Sequence, residues 1–268
     1  MDEDSRPPLD PDLDDAGYIP PDPDEPPPVT LWSAVGDVTP WGTTALLLSW
    51  AAVFAWLAMR GELDNSDALV AWGASVTGRG ALDTSWRLLA STFLHAGAAH
   101  VFFNATSMWI FGQAVERIFT RWGFWLVFAF GGAAASLGSL AWRAYRYGPD
   151  ASLSVGASGA IFALGGAVLA AAVRLRHRLA PGRARALGAA LMYLLAQGLV
   201  SGFTRHGTDN VAHAAGLAAG VALGAWVPLS TRLGGPPSGW TMRTLGALSL
   251  LALAASLAIG AWTGLGGR

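Results

Sequence analysis

Apolar residues run along this chain in long blocks rather than in alternation. A helix needs about 20 apolar residues to cross the roughly 30 Å hydrocarbon core of a bilayer. Seven blocks reach or approach that length: 41–59, 98–119, 124–142, 158–173, 186–203, 211–228 and 245–262. The fourth is short and, at 1.5 Å per residue, covers only about 24 Å. Between the first two blocks, the segment 60–97 holds "ALVAWGASV" and "WRLLASTFLHAG", apolar enough to lie in or on the membrane interface. The pattern predicts an all-α membrane protein of seven transmembrane helices. It divides the chain into a tail (1–38), a region of six spans (39–228), and a linker with a seventh span (229–268).

Composition supports the membrane class. The chain of 268 residues is 53% hydrophobic and only 13% charged, about half the charged share of a soluble domain. A net charge of −1 hides an asymmetry: residues 1–28 hold ten acidic residues, nine prolines and one arginine. Such a stretch buries too little apolar surface to offset the entropy of ordering, so it is expected to be a disordered acidic arm. It has neither the basic start nor the apolar centre of a signal peptide. All 17 basic residues are arginine, and with the many Ala and Gly this points to a GC-rich, bacterial source. The expected location is then the inner (plasma) membrane. Cysteine is absent, which excludes disulfides, zinc–thiolate sites and cysteine nucleophiles.

Arginine placement sets the orientation. The segment "RLRHRLAPGRAR" between the fourth and fifth blocks carries five arginines and is expected in the cytoplasm. This places the N-terminus inside, the C-terminus outside, and the long first loop outside. Arginines at 79, 87, 143, 146 and 205 on the outer side weaken the bias without reversing it.

Polar side chains inside a membrane are costly and mark function. His100 and Asn104, four apart, share a helical face at the outer end of the second block. Ser158 opens the short fourth block, so it should lie about 6 Å or more below the outer boundary. His213 enters from the same side on the sixth block, and Glu116 lies near the inner end of the second. Gly216, Gly220 and Gly224 follow His213 on nearly one face, and Gly165 follows Ser158 by seven residues. Small-residue stripes let helix backbones approach closely in lipid. Pressed together, these two would bring Ser158 against His213, with Phe162 one turn below to pack under the imidazole.

That arrangement suits acyl transfer. A serine hydroxyl becomes a nucleophile when a neighbouring base takes its proton, and His213 is placed to be that base and then the acid for the leaving amine. The Asn104 amide, a ring N–H of His100 and the backbone N–H of Ser158 could stabilise an oxyanion. Asp209 is the one carboxylate near this end of the three helices, which points to a Ser–His dyad rather than a triad.

In order along the chain, "WR" (Trp86, Arg87), "HAGAAHVFFN" (His95, His100, Asn104), "GQAVER" (Glu116), "GASG" (Gly156 to Gly159) and "AHAAGLAAG" (His213, Gly216, Gly220) resemble the rhomboid intramembrane serine proteases. The similarity covers about residues 40 to 228. It implies Ser158 as nucleophile, His213 as general base, and His100 and Asn104 in the oxyanion hole. It also implies a six-helix core with one helix appended, and transmembrane proteins as substrates in the bilayer, without cofactor, metal or nucleic acid.

Each residue also has a plainer reading. Ser158 alone would be a cap or packing residue, the histidines hydrogen-bonding groups within a bundle, and Asn104 interhelical glue. His95 is read as structural, Glu116 as a buried fold-holding group, and Trp86 and Arg87 as interface anchors with snorkelling side chains. Two other functions compete. His95, His100 and His213 could bind zinc, although no HExxH or nearby intramembrane carboxylate accompanies them. A non-catalytic membrane-protein binder is the other, against which the intact Ser158 and His213 argue. Substrate identity and oligomeric state are not legible.

Overall fold

The computed structural model describes residues 39–148, 153–176, 188–189, 191–193, 198 and 209–266. The acidic tail, His177, His206 and most of the fifth block lie outside these residues.

The described elements are α1 (Trp41–Met59), α2 (Ser66–Ala71), β1 (Ser75–Val76), α3 (Ala81–Ala90), α4 (Ala98–Tyr147), β2 (Leu153–Ser154), α5 (Ser158–Arg174), α6 (Asn210–Trp226) and α7 (Trp240–Gly264). Short 3₁₀ turns at Ser91–Phe93 and Thr231–Leu233 join them. Three helices, α1, α4 and α7, are long and apolar enough to cross a membrane, and α5 is a shorter apolar helix. The second and third apolar blocks form one 50-residue element, bent at Thr120, where φ is 77° and ψ 164°. A β-branched residue in that region is sterically unfavourable, so the bend needs support. The Ser230 N–H donates to the Ile118 carbonyl at 2.7 Å, and the Ser238 hydroxyl reaches Thr120 Oγ1.

Helix ends leave backbone groups without partners, which is expensive where water is scarce. The buried Glu116 on α4 answers this for α1. Its two carboxylate oxygens accept the N–H groups of Gly42 and Thr43, each at 2.9 Å, and the Thr43 hydroxyl at 2.7 Å. At the far end of α6, the Arg174 guanidinium donates to the carbonyls of Gly224 and Val227 at 2.8 and 2.7 Å.

Helices α5 and α6 make the closest approach in the bundle. A Cβ built on Gly216 would lie 2.1 Å from the Gly159 carbonyl oxygen, and one on Gly220 2.0 Å from that of Ala163. The Gly224 position faces Ala167, and Gly166 faces the Leu217 carbonyl. The face that receives the glycine stripe is therefore Gly159, Ala163, Gly166 and Ala167. It is one residue round from the expected Ser158–Gly165 line. That rotation leaves Ser158 at the edge of the contact, where its side chain can reach across instead of being buried between backbones.

The segment 60–97 is a folded cap. Leu69, Trp72, Ala74 and Leu94 form a small core with Val53 and Leu57 of α1. Arg87, expected to snorkel, turns inward instead. It is 5% exposed, donates to the Val70 and Ala74 carbonyls and to Asp83, and stacks over Trp86. The reason is local: the turn after α2 leaves carbonyls that only a long donor can reach. Burial opposes ionisation of Asp83, yet the Arg87 hydrogen bond and the Arg87 and Arg79 charges outweigh it and hold the carboxyl below its ordinary value. Helix α7 braces this cap. Gly260 lies against the Trp72 carbonyl, Gly264 against the Trp72 indole, and the Thr263 hydroxyl donates to the Ala71 carbonyl. One feature had no trace in the hydropathy pattern: β1 and β2 pair antiparallel, Ser75 with Ser154 and Val76 with Leu153.

Three substitutions check this account by thermal unfolding in detergent. Gly220→Ala forces a methyl onto a carbonyl and should cost about 1–3 kcal/mol. Gly80→Ala, where a Cβ would meet nothing within 4 Å, should stay within about 0.5 kcal/mol of wild type. Glu116→Gln leaves only one acceptor oxygen for three donors and should cost about 1–3 kcal/mol.

Candidate active site

Ser158 is the first residue of α5, and His213 lies in the first turn of α6. The two helices run parallel, so both residues arrive at the same end of the bundle. Ser158 Oγ and His213 Nε2 are 2.9 Å apart, a hydrogen-bond distance. The imidazole lies flat on the Phe162 ring, with centroids 4.3 Å apart and planes within 5°. One side of the ring is thus packed while its Nε2 edge faces the hydroxyl. His213 is 8% exposed, and Ser158 is half-buried.

His100 and Asn104 stand on the first arm of α4, across the backbone that leads into Ser158. A Cβ at Gly156 would lie 2.7 Å from His100 Nε2 and 3.7 Å from Asn104 Nδ2. Gly156 has φ +125°, and its N–H donates to the Ser91 carbonyl at 2.9 Å. Glycine is required twice here, by the backbone conformation and by the side chains against it. The buried Asn104 Nδ2 has no hydrogen-bond partner among the described residues. A donor left open in this way, beside the N-terminus of α5, is suited to receive an anionic oxygen.

The other residues singled out from sequence lie round this centre. Gly159 and Gly216 are the uppermost contact between α5 and α6, and Gly220 is the next one down. His95 is buried behind the site, its ring 5.2 Å from those of Trp50 and His100. Glu116 and Arg87 are distant, one capping α1 and the other inside the cap. His95 and His100 adjoin each other, while His213 faces Ser158. No group of three metal-ligating side chains meets among the described residues.

Two residues gain a place here. Gly198 packs on the far side of the stacked rings: a Cβ there would be 2.7 Å from Phe162 and 3.4 Å from His213 Nδ1. Nothing in the sequence set this glycine apart from 33 others. Asp209 makes no hydrogen bond to the imidazole among the described residues. Its carboxylate accepts from Ser139, Ser154 and the Ala212 N–H instead.

Comparison with known proteins identifies the family. The Rhomboid domain profile matches residues 83–229, which run from within α3 to beyond α6 and include every residue of the candidate site. The chain is 34% identical over 203 residues to Rhomboid protease GluP of Bacillus subtilis (strain 168), covering 75% of this chain and 37% of that protein. It is 31% identical over 159 residues to Putative rhomboid protease YdcA of the same organism, covering 58% of this chain and 75% of that one. RHOMBOID-like protein 1 of Arabidopsis thaliana is 35% identical over 153 residues, with 54% and 37% covered. The chain thus spans little more than a third of GluP and of the plant relative, and three quarters of YdcA. Because the profile match takes in over half the chain and the helices that bring serine, histidine and asparagine together, this integral membrane protein belongs to the rhomboid family.

Proposed function

We propose that this protein is an intramembrane serine endopeptidase that cleaves peptide bonds in or near the transmembrane helices of other membrane proteins. The observation that carries the proposal is the 2.9 Å approach of Ser158 Oγ to His213 Nε2, with the imidazole fixed on Phe162.

In the first step Ser158 Oγ attacks the scissile carbonyl while its proton passes to His213 Nε2. The carbonyl oxygen becomes an oxyanion, received by the Ser158 backbone N–H, the Asn104 amide and His100. One such donor is worth about 3 kcal/mol of barrier. The imidazolium then gives its proton to the departing amine, leaving an acyl-enzyme. Water, deprotonated by the same nitrogen, releases the second product and restores Ser158. Water must therefore enter, and α5 offers a reason why it can. At 17 residues it is about 25 Å long, shorter than the bilayer core of about 30 Å, so Ser158 is recessed but near one surface.

The same reading assigns seven spans, with 39–228 as a six-helix protease core, 229–268 as linker and seventh helix, and 1–38 as a cytoplasmic tail. The site opens to the outer side of a bacterial inner membrane. The arginine-rich sequence 174–185 supports this orientation, since Arg174 and Arg176 open it at the end of the bundle away from Ser158.

The test uses the purified chain in detergent with a panel of model transmembrane substrates. Wild type should cleave, and Ser158→Ala and His213→Ala should lose at least about 1000-fold in rate. A fluorophosphonate should label Ser158 in wild type and not in His213→Ala, and a chelator should change neither result. Cleavage by the Ser158→Ala protein would rule the mechanism out. Gly198→Val should push on Phe162 and His213 and slow labelling about tenfold, an effect of displacing the base rather than removing it.

A further inference from the structure

We infer that Asp209 is a positioning residue for the Ser158–His213 pair, joining the strand that feeds the serine to the helix that carries the histidine. The inference rests on the serine-protease reading above and names what holds its two reacting side chains in register.

The Ser154 hydroxyl donates to Asp209 Oδ2 at 3.1 Å, and the Ala212 N–H donates to Asp209 Oδ1 at 3.0 Å. Ser154 precedes Ser158 by four residues, and Asp209 precedes His213 by four. One carboxylate therefore bridges equivalent points upstream of the nucleophile and of the base. The backbone adds to this, since the His213 N–H donates to the Asp209 carbonyl at 3.1 Å.

The bridge is part of a closed ring of bonds. The buried Ser139, on the second arm of α4, also donates to Asp209 Oδ2 and in turn accepts from Arg143 Nε at 3.1 Å. Arg143 extends to the carbonyl and hydroxyl of Ser75, at 3.3 and 3.0 Å. Ser75 is the ladder partner of Ser154, which returns the ring to Asp209. Four segments meet here: β1, the second arm of α4, β2 and the start of α6. A carboxylate suits the junction because its two oxygens accept several bonds at once, and the Arg143 charge offsets its own.

Asp209 makes no hydrogen bond to the imidazole among the described residues and holds His213 through the backbone of α6. His213 is engaged elsewhere, by Ser158 at Nε2 and by Phe162 on its face. The position of α6 along α5 is the quantity Asp209 controls. At the opposite end Arg174 of α5 already ties the last carbonyls of α6. Asp209 supplies the matching tie at the reactive end, where a shift of about 1 Å can cost up to about 100-fold in rate.

The experiment compares Asp209→Ala, Ser154→Ala, Asp209→Asn and the Asp209→Ala/Ser154→Ala double variant. All use the full chain in detergent, with steady-state cleavage of a transmembrane substrate, fluorophosphonate labelling and thermal unfolding. Asp209→Ala should lower kcat about thirtyfold and Ser154→Ala about tenfold, with KM within about twofold, because the substrate is bound but the pair is misplaced. Asp209→Asn keeps an acceptor oxygen and should recover about tenfold over Asp209→Ala. The double variant should be no slower than Asp209→Ala alone, since both changes break one bond network. A kcat within twofold of wild type in Ser154→Ala, additive losses in the double variant, or a loss matched by an equal loss of folded protein would each overturn the inference. If Asp209→Ala does not fold, Ser154→Ala decides on the same criterion. Labelling that survives Ser158→Ala would defeat the underlying protease reading instead, a result distinguishable from failure of Asp209 alone.

Discussion

Contact between the backbones of α5 and α6 is the constraint from which the site follows. In lipid, apolar side chains gain little by leaving a medium as apolar as themselves, so helices associate through close packing and polar bonds. Gly216 and Gly220 remove the side chains that would hold α6 away from the carbonyls of Gly159 and Ala163. Only at that separation can the Ser158 hydroxyl and the His213 imidazole meet without either helix bending. The Ser158–His213 distance is set by groups that are absent, and the polar ties at the two helix ends decide where along the axis the contact falls.

The polar groups in this bundle follow one logic. Each long-range bond closes a backbone or side-chain group that the membrane would leave without a partner. Glu116 does this for the start of α1, Arg174 for the end of α6, and Arg87 for the turn after α2. The one buried amide that stays open among the described residues and adjoins Ser158 is Asn104 Nδ2. That donor stands beside the N-terminus of α5, where the proposed reaction would place an oxyanion.

Much of the site was legible because its signals are local and periodic. His213 with glycines at three, seven and eleven residues further on defines a helical face from sequence alone, as do His100 and Asn104. The partner face on α5 was placed one residue off, since Ala163 and Ala167 serve the contact as well as glycines do. Periodicity cannot rank small residues that pack alike. Features made by pairing distant segments were not legible at all. The β1–β2 ladder is two residues long on each side, too short for any alternation to register. Arg87 looked like an interface anchor because the carbonyls it serves become neighbours only once the cap folds. Gly198 sits in a segment where many residues are small, and its meaning comes from the rings across from it.

The parallel course of α5 and α6 has an electrostatic result. Both helices begin at the site, as does the first arm of α4, so three sets of aligned peptide dipoles present their positive poles to one small volume. Each pole acts as roughly half an elementary charge, and in a poorly screened medium such poles keep more of their strength. Under the proposed mechanism, an oxyanion forming beside Ser158 enters a field already arranged to receive it. The chain direction of three helices thus favours negative charge at the point where the proposed reaction would place it.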